Sequence, residues 1–370
     1  MRRFVDHDKQ NGCKGQSCIL PEKGPPRISI EIRFEIIYVD SNRTIFIPSR
    51  HPMTKTGLEK LKYRFGDFCG DLLLLFSIQV LRVLPQRQIV LTARVAGTVA
   101  FYLIKKYRKR VLHHLSLAFE GEKDPRTIEK LAKDVFFNLI LTPLETGYAY
   151  VQPFEKHLLK IEIRGKEYLE TALAQGKGVI ALGSHLGPFT LVGARLSLEG
   201  YRFNLIINEG SFPKIWKRVG DSQRRIGQNL FPLQPVTSSF KKSLNCLRRN
   251  EILYIIADER QRRGGIPVPF FGQTAYTAPG PAFFSLKTGA PILPMFVARE
   301  KGVPRTLFIG GPIEIERTWD EKRDLELLTA KFTKAIEDIV KQYPCQWPWL
   351  NRRWELPNGK GSLDMPKQEV

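Results

Sequence analysis

Cysteine is scarce: five residues, Cys13, Cys18, Cys69, Cys246 and Cys345, are scattered through 370. The number is odd and the spacing is that of neither a zinc site nor a disulfide framework, so a reducing compartment and no metal are expected. Cys13 and Cys18 have no second Cys or His pair following at metal-binding distance. Acidic residues are also few, 37 against 58 Lys and Arg, and the net charge of +21 favours anionic partners. Nucleic acid, anionic lipid headgroups and acidic proteins all fit that field. Nothing in the chain resembles a recognition helix, an RNP motif or a zinc finger, and the basic residues border apolar segments, which argues against nucleic acid.

No apolar run reaches the ~20 residues of a clean bilayer span. The longest, at 68–84, is interrupted by Asp71 and Arg82, and the next, 89–104, carries Arg94 and runs into KKYRKR at 105–110. Two short apolar segments with a basic exit read as helices lying in or partly entering a membrane, with the basic run at an anionic surface. A pair of core helices with a solvated basic end is the competing description. No secretory pattern precedes them. Residues 1–52 mix charge, Pro and Gly and read as an extra arm, with Met53 as an alternative start; 358–370 read as a polar tail.

From residue 127 to 151 an amphipathic helix is expected. Beyond it, short β-branched runs at 160–163, 179–182, 203–207, 252–257, 291–297 and 306–309 alternate with helical stretches near 166–174, 188–199, 212–227, 238–249 and 279–288. A last helix spans 321–342. Continuous apolar strands separated by helices predict an α/β fold with a central, mostly parallel or mixed sheet covered on both faces.

In such sheets ligands sit at the carboxyl ends of strands. His185, one of six histidines, stands at such an end in GSHLGPFTLVG, residues 183–193. Gly183 and Gly187 allow a tight turn and close approach of a substrate, and Pro188 suits a first helical turn. A serine hydrolase would centre a serine, as G-x-S-x-G. Here the centre is histidine, with Ser184 one place early. A base beside backbone amides suits direct transfer, in which an acceptor hydroxyl loses its proton and attacks a thioester.

The chain resembles the bacterial lipid A biosynthesis acyltransferases, the lauroyl and myristoyl transferase family within the glycerolipid acyltransferase superfamily. The resemblance covers 57–357 and rests on GSHLGPFTLVG, on IADERQRRGGIPVPFFGQTAYTAPGPAFFSLKTGAPILP from residue 256, and on YPCQWPWLNRRWELP from residue 343. It implies an O-acyltransferase at the cytoplasmic face of a bacterial inner membrane. Residues 53–110 would form its membrane-associating helices and 111–357 its acyltransferase domain. The acyl donor would be acyl carrier protein or coenzyme A and the acceptor a lipid hydroxyl, with no cofactor.

The family pattern is His, four residues, then Asp or Glu, and the position here is Thr190. A carboxylate there would orient the imidazole and stabilise its cation; a threonine hydroxyl carries no charge. The difference is of order 1 to 2 kcal/mol, roughly 5- to 30-fold in rate. Two expectations follow: an active enzyme in which Asp258, with Glu259 beside it, serves instead, or a weakened or silent relative that binds lipid or carrier protein. Asp258 would otherwise be a turn cap. Phe270 and Phe271 of VPFFG match the family's substrate wall but equally suit a core. Thr277 opens a turn with free amides for an anionic group, and Arg225 and Arg260 could meet phosphates of lipid or carrier arm, or face solvent. Trp347, Trp349 and Trp354, interleaved with Arg352 and Arg353, fit a membrane interface or a packed lid.

Overall fold

The computed structural model describes residues 79–354, apart from 82, 84, 152–153, 208–219, 222, 226, 262–263 and 301–302. The arm, the tail, Cys13, Cys18, Cys69 and nearly all of the 68–84 segment and the 212–219 half of one expected helix lie outside the described residues.

A helical layer comes first: α1 (Gln86–Leu103), α2 (Lys105–Ala118), α3 (Pro125–Val151) and the short α4 (Phe154–Leu158). The α/β part follows as β1 (Glu162–Arg164), α5 (Lys166–Ala174), β2 (Val179–Gly183), α6 (Leu191–Leu198), β3 (Phe203–Ile207), β4 (Gln228–Pro232), α7 (Val236–Arg248) and β5 (Ile252–Ile256). It closes with β6 (Ile266–Phe270), β7 (Gln273–Thr277), α8 (Gly280–Thr288), β8 (Ile292–Glu300), β9 (Val303–Ile309) and α9 (Glu321–Gln342), then a 3-10 turn at Pro344–Gln346.

Seven strands form one sheet in the order β1-β9-β8-β2-β5-β3-β4, and β6 and β7 pair as a separate antiparallel hairpin. Every pair in the large sheet is parallel except β8 with β9. The expected mostly parallel α/β sheet is therefore present. The neighbouring central strands β2 and β5 are apolar because both faces are covered. Ile180 and Leu182 of β2 enter one core with α3, α8 and α9, whereas Val179 and Ala181 enter the other with α5 and α6. Each such fully buried aliphatic side chain stabilises the fold by about 1.5–3 kcal/mol. The last helix begins where Asp320 accepts hydrogen bonds from the amides of Lys322 and Arg323, 3.0 and 3.2 Å away.

Three strands, β4, β6 and β7, depart from the sequence expectation. β4 is Gln/Asn-rich, with an Asn229 to Asn204 side-chain bond of 3.1 Å tying it to β3. In β6 the prolines 267 and 269 occupy exposed, alternate positions, so their missing amides break no buried ladder bond.

α1 packs on α3 through Ile89, Ala93, Gly97 and Phe101, a stripe at four-residue spacing. Its outer side carries Leu91, Val95, Val99 and Tyr102, 49–61% exposed. Among the described residues no single helix is long and apolar enough to cross a membrane; α1 and α2 reach that composition only as a pair bent by 94°.

Candidate active site

β2 and β5 are neighbours in parallel register, Gly183 opposite Ile256. The second residue beyond each strand is therefore brought to the same place: His185 from one, Asp258 from the other. The imidazole Nδ1 lies 2.8 Å from Asp258 Oδ1, and the His185 backbone N–H donates to Oδ2 at 2.8 Å. Trp347 Nε1 donates to the same Oδ2 at 2.7 Å. Asp258 is fully buried and the His185 side chain is 20% exposed. With Nδ1–H held by the carboxylate, the neutral ring carries its lone pair on Nε2.

Two glycines make this loop possible. A Cβ at Gly183 would stand 2.4 Å from the Tyr254 ring and hydroxyl. At Gly187, φ is +55° and a Cβ would stand 2.5 Å from the Val297 carbonyl.

Burial of the His185 ring opposes its charge, but the Asp258 carboxylate, by charge and hydrogen bond, and then Glu259 outweigh it and hold the imidazole at about 9. Burial likewise pushes Asp258 up, and the imidazolium and the three donors bring it below the usual carboxylate range. Glu259, half-buried beside the pair, is raised by desolvation. The two residues form a charged pair that desolvation alone would have neutralised.

The chain's last described segment closes over this pair. The Gln346 carbonyl accepts from Gly187 N–H at 2.9 Å, and its side chain grips the Arg299 backbone at both N–H and C=O, 2.9 and 2.8 Å. The Arg299 guanidinium reaches Glu145 at 2.7 Å, Thr142 at 2.6 Å and Asn138 at 3.0 Å, binding α3 to β8. Arg353, entirely buried, donates to the carbonyls of Glu259 and Tyr276 at 2.9 and 3.0 Å and to Thr277 Oγ1 at 2.5 Å, with its cation 5.0 Å from the Phe270 ring centre. Burial pulls its pKa down to about 10 against the charges of Asp258 and Glu259. Beside His185 a cleft of about 160 Å³ opens between α3 and this segment, walled by Val135, Leu139, Pro143, Phe189 and Trp347. At ~30 Å³ per water-sized group it admits about five, a length of chain rather than a whole acyl group.

Several sequence expectations change in this light. The orienting position on Nδ1 belongs to Asp258; Thr190 precedes α6 and pairs with Thr146 Oγ1 at 3.3 Å. The reason is topological, since adjacent parallel strands place Asp258 directly against the ring. The Gly187 amide is bonded to Gln346, and that of Phe189 to Gly187, so neither is a free oxyanion donor. Phe270 and Phe271, 0% and 5% exposed, pack in an aromatic core with Trp347, Trp349 and Trp354 and do not line the cleft. Thr277 is buried against Arg353 and Arg260 bridges to it in an antiparallel β contact, so this turn is structural. Arg225 is exposed and does not line the cleft. Ser184 is buried, as suits a turn that presents histidine. Trp347 and Trp349 are buried, which makes the terminal block a packed lid. Gln346, Arg299, Glu145 and the role of Trp347 went unread in the sequence.

The family model of the bacterial lipid A biosynthesis acyltransferases matches residues 59–355. The chain belongs to this family. Among its relatives is a phosphatidylinositol mannoside acyltransferase of Mycobacterium tuberculosis (strain ATCC 25618 / H37Rv), 24% identical over 194 residues, covering 52% of this chain and 59% of that protein. The lipid A biosynthesis lauroyltransferase of Escherichia coli (strain K12) is 23% identical over 274 residues, 71% of this chain and 84% of that protein. The palmitoleoyltransferase of the same organism is 24% identical over 275 residues, covering 72% and 85%. The family segment thus contains α1 to α9 and the His185–Asp258 pair, although only 59% of the mannoside enzyme's length is spanned.

Proposed function

We propose that this family member is a membrane-associated O-acyltransferase that moves a fatty acyl chain from a thioester of acyl carrier protein or coenzyme A to a hydroxyl of a lipid acceptor, of the lipid A or glycolipid kind. The observation that carries it is the buried carboxylate on His185 Nδ1, in a pair that borders an apolar cleft. The neutral imidazole takes the acceptor hydroxyl proton at Nε2 while the oxygen attacks the thioester carbon. Asp258 stabilises the imidazolium so formed. The tetrahedral adduct then collapses, the carbon–sulphur bond breaks, and the imidazolium returns its proton to the departing thiolate. No covalent enzyme intermediate or cofactor is needed.

Asp258 supplies the charge that Thr190 lacks, which supports the active reading over a silent relative. The outward stripe of α1, with Leu103 and Ile104 exposed at the bend and the basic start of α2 beyond it, supports binding to an anionic leaflet such as the cytoplasmic face of the inner membrane. The net charge of +21 also suits an acidic carrier protein.

The test is transfer of radiolabelled acyl groups from acyl carrier protein, and separately from coenzyme A, to a total lipid extract by membranes carrying the native or the His185→Ala protein. A labelled lipid that depends on His185 is expected. Equal labelling by both proteins would refute the mechanism, and no labelling by either would turn belief to a non-catalytic lipid-binding relative.

A further inference from the structure

The two oxygens of Asp258 are held by different donors. Oδ1 faces the ring Nδ1 of His185 at 2.8 Å. Oδ2 accepts from the His185 backbone N–H at 2.8 Å and from Trp347 Nε1 at 2.7 Å. The indole has one donor, and it is given to the carboxylate oxygen that does not bond the ring.

Trp347 has little freedom to place that donor elsewhere. Its side chain is buried, with the ring centre 4.9 Å from that of Trp349 and 5.8 Å from that of Phe270. The residue before it, Gln346, is tied to the Gly187 amide and to both backbone groups of Arg299. Trp347 also walls the cleft beside His185.

A donor on a carboxylate oxygen takes up part of its charge. That bond is stronger while the imidazole opposite is neutral than when an imidazolium already compensates the carboxylate, so it limits the pull of Asp258 on the ring proton. The transfer described above needs such a limit: the proton taken from the acceptor hydroxyl at Nε2 has to leave again for the departing thiolate. Among the described residues no other charged or titratable group near the pair donates to Asp258. Tyr254 of β5, Glu259 beyond it and Arg353 of the terminal segment act on the pair by charge alone. Across the cleft, Glu145 of α3 is paired with Arg299 and Arg305 at 2.7 and 3.1 Å, and Cys345 stands in the wall.

We propose that Trp347 is a positioning residue for acyl transfer: its indole N–H takes up part of the Asp258 charge, so that the carboxylate orients His185 and the ring still gives up its proton. The proposal rests on the acyltransferase function above and adds what sets the strength of its base.

Two replacements remove the donor. Trp347→Phe shortens the ring, whereas replacement of Trp347 by benzothienylalanine keeps its shape with sulphur in place of N–H. The readouts are the His185 ring titration by NMR and kcat/KM at pH 7 with carrier protein and coenzyme A thioesters. In both variants the titration should move up by about half to one unit, and kcat/KM should fall by the matching three- to tenfold, roughly. Trp349→Phe is the control, since Trp349 Nε1 donates to the Pro344 carbonyl at 2.7 Å within the same lid. It should lower the melting temperature and leave the His185 titration in place. A titration that stays or moves down in the benzothienyl variant would overturn the role and reduce Trp347 to packing, as would a raised titration without the matching fall in kcat/KM. Absence of transfer by the native protein from either thioester would instead overturn the acyltransferase reading and the role with it.

Discussion

Two histidines of this protein, one at a strand end and one in the helical layer, meet the C-terminal segment and answer burial in opposite ways. His185 bonds through Nδ1 to the Asp258 carboxylate and is held at about 9. His114 of α2, 7% exposed, bonds through Nδ1 to the Trp349 carbonyl at 2.7 Å and is pushed down to about 4, desolvation outweighing that bond. Both rings are desolvated. What separates them is the charge of the partner: a neutral carbonyl offsets little of the cost of burying a cation, whereas a carboxylate outweighs it. The first site stores a proton and the second refuses one.

Removing the carboxylate should erase the difference. Asp258→Asn is expected to lower transfer by roughly 10³- to 10⁴-fold, as loss of a triad carboxylate does, and to drop the His185 titration below its ordinary 6.5. NMR of the ring combined with kcat measures both, and an unshifted titration would show that burial, not Asp258, sets it.

The pH profile sharpens the same contrast. A base that titrates near 9 is only about 1% neutral at pH 7, so kcat/KM should climb roughly fiftyfold by pH 9 and about a hundredfold at the plateau above it. Stability runs the other way. His185 is raised above its unfolded 6.5, so its ion pair stabilises fully below pH 6.5 and that contribution fades as pH rises to about 9. His114 is depressed, so its contribution is complete above pH 6.5 and is lost as pH falls toward 4.

His114→Phe tests that second limb. It strands the buried Trp349 carbonyl, at a cost of about 1–3 kcal/mol at pH 7. The stability lost by native protein between pH 7 and 5, read by urea unfolding, should shrink in the variant. Smallest of all should be Thr190→Val, with less than about a threefold change in kcat, because Nδ1 already has its partner. A fall beyond tenfold would restore Thr190 to the orienting role.

Much of the fold was legible because burial on both faces leaves a plain mark. β2 and β5 are apolar runs, β3 is one apart from Asn204, and the bounds of α5 and α9 coincide with their helical patterns. β4, β6 and β7 were not legible: amide side chains and alternate prolines are poor strand signals, and only pairing partners distant in sequence make those segments strands. His185 stood out by its place at a strand end between glycines. Its partner could be named only as one of two, since the pattern of the family it resembles pointed to Thr190 while strand adjacency, which the sequence does not order, selected Asp258. Gln346 and Arg299 carried no signal of their own because their meaning lies in contacts 47 residues apart or more.

Among its described residues, the lid that bonds Asp258 through Trp347 and the histidine loop through Gln346 has one short 3-10 turn of regular structure. It is held by side chains rather than by a backbone ladder, with Trp347, Trp349 and Arg353 buried beneath it. Fraying there would let water reach the ion pair and switch the centre off while every strand stays paired, so the protein should lose its chemistry before it loses its shape.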